Sequence, residues 1–309
     1  MIVTVTLNPA VDRTIKVEEI NEKDVTRVKK TIRDAAGKGI NVSKVICSLG
    51  GTTFATGFLG GSNGAFIQKE LLKLKVPNDF VLVKGETREN MKIHETLTNR
   101  MLELNESGPL VNDSDVQKLL SVLDKMLHKE DVLVLSGSIP QGLDKNIYEV
   151  LIKRYRSKGI ITILDTSLDL LKEGIKGNPN IIKPNLYELE QLVGKKLHSD
   201  DEIVAEARML CKNGIDEVIV TLGKDGAILV NLNESLKIDA PSVKVESTVG
   251  AGDSFVGGIS YSIDQGYGIE KRLKFATAVA SASVMSEGTN PGKKEDIERL
   301  IELVQIRGL

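Results

Sequence analysis

The segment Ser247-Thr248-Val249-Gly250-Ala251-Gly252-Asp253-Ser254-Phe255 opens an apolar helical stretch. Small residues at 250–252 let backbone N–H groups approach an anion closely, and the helix dipole favours negative charge at that end. A carboxylate directly behind such a nest is poorly suited to storing a phosphate. It suits a step in which a hydroxyl attacks phosphorus, the carboxylate takes the hydroxyl proton, and the N–H groups stabilise the transferring group. Asp253 is therefore a candidate general base, and Gly250, Ala251 and Gly252 a candidate anion hole. The plainer reading makes Asp253 a helix N-cap.

Other chemistries lack their residues. The chain has no G-x-x-x-x-G-K-[ST], and Gly37 and Gly39 are followed by Val42 where a dinucleotide fingerprint needs glycine. His94, His128 and His198 are far apart and without partner spacing, which argues against a histidine metal site and for surface or lid positions. No Ser-His-Asp constellation assembles from local motifs. Cys47 and Cys211 each fall in an apolar helix-like stretch and read as buried thiols rather than a redox pair.

The elements that position Asp253 alternate. Val132–Leu135, Ile160–Leu164 and Val218–Val220 are short runs typical of strands buried on both faces. Between such runs lie amphipathic stretches. Val42, Val45, Ile46 and Leu49 follow helical spacing and stop at Gly50-Gly51; Val116, Leu119, Leu120, Leu123 and Leu127 follow a cap at Asp113 or Ser114. The pattern predicts an α/β fold with a largely parallel sheet and helices on both faces. Such sheets gather functional residues at the C-terminal ends of their strands. Two regions, about 12–34 and 89–105, carry half-polar alternation with no helix. Met91 and Ile93, then Leu102 and Leu104, suggest antiparallel strands about a turn at Thr98-Asn99-Arg100, either a small lid or ordinary surface hairpins. With no linker or repeat, residues 1–309 read as one domain with a discontinuous β lid. After Ala251 three helices are expected, the second over roughly 270–286 and the third over roughly 294–306.

Composition narrows the class. The 309 residues carry a formal net charge of −2, with both signs interspersed. There is no basic stripe for nucleic acid, no run of membrane-span length and no leader-like start, so a cytoplasmic protein acting on small molecules is expected.

Ala36-Gly37-Lys38-Gly39-Ile40-Asn41-Val42 and Thr248–Gly258 together closely resemble the paired signatures of the ribokinase-like, or PfkB, sugar kinases. The match is ordered and nearly full length. It includes Thr6-Leu7-Asn8-Pro9-Ala10-Val11-Asp12, Ser136-Gly137-Ser138-Ile139-Pro140, Lys183-Pro184-Asn185-Leu186-Tyr187-Glu188 and Val220-Thr221-Leu222-Gly223. The opening segment and the lysine of the second motif look most like the phosphofructokinase branch, which includes 1-phosphofructokinase and tagatose-6-phosphate kinase. The resemblance implies a ribokinase-like fold, MgATP as phosphoryl donor and a ketohexose phosphate as acceptor. It assigns Asp12, Gly37, Lys38 and Asn41 to the sugar, although Asn41 alone could be an ordinary helix residue. Lys38 supplies a cation that a sugar phosphate, unlike ribose or a nucleoside, requires at its far end. Arg88 and Arg27 are candidates to join it, and Asn90 and Ser138 are further acceptor contacts.

The same resemblance directs Lys183 to the nucleotide phosphates. It gives Asn185 and Glu188 to Mg²⁺ through water, and Thr221, Leu222, Gly223, Lys224, Asp225, Gly226 and Gly252 to ATP. A capping box is an equally good local account of Asn185 and Glu188, and a tight turn of residues 221–226. Ala36 stands where many relatives have glycine. Ser247 stands where some potassium-activated relatives have aspartate, which argues against monovalent-cation activation, although backbone carbonyls could still bind potassium. Fructose 1-phosphate is the expected acceptor, with tagatose 6-phosphate and fructose 6-phosphate as alternatives. A non-catalytic sugar-phosphate sensor is the rival of another class, disfavoured by retention of Asp253. A nucleoside or plain-sugar kinase is disfavoured by Lys38 and the arginines. The lid edge could pair two copies into a homodimer.

Overall fold

The computed structural model describes residues 1–21, 23–286 and 288–309. Its larger sheet has ten strands. Seven of them, in the order Glu217–Thr221, Ile181–Ile182, Ile161–Asp165, Val132–Ser136, Ile2–Thr6, Thr53–Leu59 and Val81–Leu82, pair in parallel. Ala227–Val230, Ser235–Asp239 and Gln305–Gly308 extend one edge antiparallel. Alternate residues of the central strands feed opposite cores, as period-two geometry requires. Val3, Val5, Leu133 and Leu135 join Leu119, Leu123, Tyr148 and Tyr155 on one face. Ile2, Val132 and Val134 join Val42, Val45, Phe255 and Leu273 on the other. Helices therefore cover both faces.

The helix that carries Asp253, Ala251–Asp264, lies close to Lys38–Ser48 and Ile269–Ser283 because two consecutive glycines permit it. A Cβ on Gly257 would stand 2.7 Å from Val45 Cγ1, and one on Gly258 2.7 Å from Ala276 Cα. This contact brings the start of one helix to the start of the other.

A second, four-stranded sheet runs in the order Val28–Ala36, Ala10–Val17, Arg88–Glu95, Arg100–Asn105. The expected hairpin is present, with Met91 opposite Leu104 and Ile93 opposite Leu102. A third apolar cluster, including Val11, Ala35, Leu59, Ile67 and Leu71, anchors the base of this sheet to the helix Gly61–Lys73.

Three expectations change. The cap of helix Asp113–Met126 is Asn112, whose side chain accepts from Ser114 and Asp115 while Asp115 reaches back to Asn112 N. The helix expected over 270–286 spans Ile269–Ser283. The last helix ends at Ile301, and Gln305–Gly308 instead pairs as an edge strand with Ser235–Asp239, a contact no local pattern encodes. Cys47 and Cys211 are both free thiols, each pushed up by burial. Among the described residues no helix is long and apolar enough to cross a membrane.

Candidate active site

Thr6, Ser136 and Asp165 close three adjacent parallel strands side by side. At this rim the buried Asp165 accepts from Lys38 Nζ at 3.1 Å, and its same oxygen lies 3.2 Å from Lys183 Nζ. Burial alone would raise the Asp165 carboxyl, but the charges of Lys183 and Lys38 outweigh it and hold the group below the usual carboxylate range. The reverse balance holds Lys38 above the ordinary lysine range: burial opposes its charge, but Asp165, Asp253 and Glu188 outweigh burial. The sequence reading missed Asp165. Its signal was a carboxylate at the end of the buried run Ile161–Asp165, which cannot stay charged there without cationic partners.

Gly250 caps the Asp253 helix in the left-handed conformation, with φ 83°. Asp253 is thus the third helical residue and not the N-cap. It accepts instead from Asn41 Nδ2 at 2.8 Å, with both residues buried. That contact joins two motifs 212 positions apart. Burial, then the nearby Asp165 charge, pushes the Asp253 carboxyl up to about 6 against the pull of Lys38, Asn41 and Lys183. A side-chain carbon on Gly252 would meet Lys183 Nζ at 3.5 Å, so the glycine turn and this lysine face each other. Gly37, at φ 130°, turns the chain into the helix that carries Lys38 and Asn41.

The smaller sheet supplies a second polar chain. Asp12 and Asn90 are register partners, and Asn90 Nδ2 donates to Asp12 Oδ1 at 2.9 Å. Arg88 donates from Nη1 to Asn90 Oδ1 and from Nε to Asn8 O, both at 3.2 Å. Asn8 in turn donates to Ser138 Oγ at 3.3 Å, which ties Ser138 to the same group. Lys92, which the sequence reading did not single out, lies 2.7 Å from Asp12 Oδ2. Its signal was the spacing of Arg88, Asn90 and Lys92 on one strand face. Arg27 is not brought to these residues. It is exposed and precedes Val28, which pairs with Val17 at the far end of the strand from Asp12, about 17 Å away at strand rise. Lys38 is committed to Asp165, near Asp253, rather than paired with Arg88.

On the other side, Lys183 and Asn185 follow one strand and Thr221 ends its neighbour, with Asn185 bridged to Thr221. Residues 223–225 form a single tight turn, with Leu222 N donating to Gly226 O at 2.8 Å. Asn185 and Glu188 form a reciprocal capping box, Glu188 N to Asn185 Oδ1 at 2.8 Å and Asn185 N to Glu188 Oε2 at 2.9 Å. The box uses only one of the two Glu188 carboxylate oxygens. Among the described residues no cluster of three or more His, Cys, Asp or Glu could hold a metal alone. This donor set fits Mg²⁺ held chiefly by phosphates and water.

The model of the pfkB family carbohydrate kinases matches residues 5–296. The chain belongs to the pfkB family. It is an ATP-dependent sugar-phosphate kinase, and kinases of this family use ATP and Mg²⁺. It is 36% identical over 313 residues to a tagatose-6-phosphate kinase of Staphylococcus epidermidis, covering 99% of this chain and 100% of the relative. It is 35% identical over 308 residues to a 1-phosphofructokinase of Borreliella burgdorferi, covering 99% and 98%. Among solved pfkB structures, phosphofructokinase-2 of Escherichia coli in complex with potassium superposes with a TM-score of 0.92 at 29% identity, covering 98% of each chain.

Proposed function

We propose that this kinase transfers the γ-phosphoryl group of MgATP to a primary hydroxyl of a ketohexose phosphate. Fructose 1-phosphate, phosphorylated at O6 to the 1,6-bisphosphate, is the first choice. Tagatose 6-phosphate, phosphorylated at O1, is the second, and fructose 6-phosphate the third. The observation that carries the reading is the Asn41–Asp253 contact beside the Gly250–Gly252 turn, with Lys38 and Lys183 gathered on Asp165.

In this proposal Asp253 accepts the proton of the attacking hydroxyl through the oxygen that Asn41 leaves open. A carboxyl pushed up to about 6 is a better base than an ordinary aspartate and is still ionised at neutral pH. The N–H groups of Gly250, Ala251 and Gly252, with Lys183 and Lys38, stabilise charge on the transferring group. Asp165 holds those two ammonium groups in place. Asp12, Asn90, Gly37 and Ser138 orient the sugar, with Arg88 toward its phosphate. Thr221, Leu222, Gly223, Lys224, Asp225 and Gly226 form the nucleotide edge. Glu188 and Asn185 would hold Mg²⁺ through water, and the metal would neutralise phosphate charge.

Residues 1–309 act as one kinase domain whose four-stranded sheet is the lid, working in the cytoplasm. The lid also supports a homodimer, because Met101, Leu102 and Leu104 are exposed on its edge strand at 53%, 48% and 51%. Ser247 argues against potassium activation, which assays with and without KCl would read. A sensor would have no use for a raised carboxyl beside an anion hole.

The test is ADP release with MgATP across fructose 1-phosphate, tagatose 6-phosphate, fructose 6-phosphate, fructose, ribose and adenosine. One preferred ketohexose phosphate, by kcat/KM, is the expected result. Turnover confined to unphosphorylated acceptors would overturn the acceptor class, and no turnover at all would favour the sensor.

A further inference from the structure

We propose that Lys92 is a specificity-determining residue, the second cation that the acceptor's existing phosphate requires; the inference rests on the ketohexose-phosphate reading. Arg88 spends three of its five N–H groups within the protein, on Asn8 O at 3.2 Å, Asn90 Oδ1 at 3.2 Å and Glu106 O at 3.5 Å, which leaves the two on Nη2. A phosphate dianion has three acceptor oxygens and two charges, and beside Arg88 alone it would find two donors and one positive charge. That charge is offset by Asp12, which is linked to Arg88 through Asn90.

Lys92 doubles the free donors and adds the second positive charge. It stands two residues beyond Asn90 and four beyond Arg88, on the same face of one strand. Its ammonium spends one of three N–H groups on Asp12 Oδ2, 2.7 Å away, and keeps two. Asp12, Arg88 and Lys92 together carry a net charge of +1, whereas Asp12 and Arg88 alone carry none. A neutral sugar gains little from the difference, and a sugar phosphate gains a charge-assisted contact. At 15% side-chain exposure Lys92 is sheltered enough for that contact to be weakly screened, yet reachable.

The experiment compares kcat/KM of Lys92→Gln and wild type on the preferred ketohexose phosphate and on fructose at high concentration. Glutamine retains a donor for Asp12 but no charge. Loss of a hydrogen bond to a charged group predicts a roughly 10- to 100-fold fall on the phosphorylated acceptor, mostly in KM. Turnover of fructose and KM for ATP should stay within about threefold, and Lys92→Arg should recover most of the loss. An equal fall on both acceptors would make Lys92 a mere support for Asp12 and overturn the proposal, as would no fall on either. If Lys92→Gln gives no cooperative melt, Lys92→Thr, a good strand former, is read by the same ratio. Wild type inactive on every ketohexose phosphate would instead bring down the underlying functional reading, which separates the two failures.

Discussion

Replacing Asp253 by asparagine should make the enzyme nearly inactive and, at neutral pH, more stable. The buried carboxyl is pushed up from an ordinary 3.8 to about 6, so the folded state binds its proton more tightly than the unfolded state does. Well below pH 4 the group is protonated in both states and costs nothing. As pH rises through this window the unfolded chain ionises first, and stability falls until the folded carboxyl ionises near 6. Above that the loss is constant, about two pH units or about 3 kcal/mol as an upper bound. Asparagine keeps an oxygen for Asn41 but has no charge to desolvate, so the variant should melt several degrees higher at pH 7.5. The difference should fall to about half a kcal/mol by pH 4. Calorimetry of both proteins from pH 4 to 8 measures it. Alongside, the variant should lose roughly 10²–10⁴ in kcat, and wild-type kcat/KM should fall tenfold per pH unit below about 6. A variant less stable than wild type at every pH would refute the argument that burial and Asp165 strain the carboxyl. Near-normal turnover would remove Asp253 as the base.

Other expectations test the surrounding groups. Lys38→Met should lower kcat by at least about tenfold while KM for the sugar changes less, because the ammonium is committed to Asp165 near Asp253; steady-state kinetics showing only a raised sugar KM would return Lys38 to the far phosphate. Gly257→Ala should destabilise the fold by about 1–3 kcal/mol, because the new methyl meets Val45 Cγ1 at 2.7 Å; an unchanged denaturation midpoint would show that the helices can part. Asn185→Ala should cost about 1 kcal/mol through loss of the capping box. It should also raise the Mg²⁺ concentration needed for half-maximal rate, and an unchanged requirement would limit Asn185 to capping.

Much of the site's membership was legible because it depends on local chemistry. A glycine-rich turn before an apolar helix, an Asn three residues before a Glu, and alternating strands are properties of neighbouring residues, and each formed where its pattern lay. Lys183, Asn185 and Thr221 lie together because parallel strands end at one rim, a consequence of the alternating pattern. Three features escaped that logic. Asp253 looked like a cap from its neighbours alone, yet Gly250 took that place and left the carboxylate free for Asn41. Gln305–Gly308 continued an apolar period that reads as helix, yet an open sheet edge at Ser235–Asp239 drew it into a strand. Arg27 shared its charge with Arg88, but the run of the strand carried it to the opposite end of the lid.

The alternation of strands and helices, the glycine turns and the residue types of the candidate site follow from the sequence alone, because propensity, periodicity and side-chain chemistry set them. Packing in three dimensions joins Asp165 to Lys38 and Lys183, brings Asn41 to Asp253, and puts Lys92 rather than Arg27 beside Asp12. Those outcomes depend on which strands are neighbours and how closely two helices approach. Charge pairing across such distances in the chain exists only once packing has removed the water between the groups.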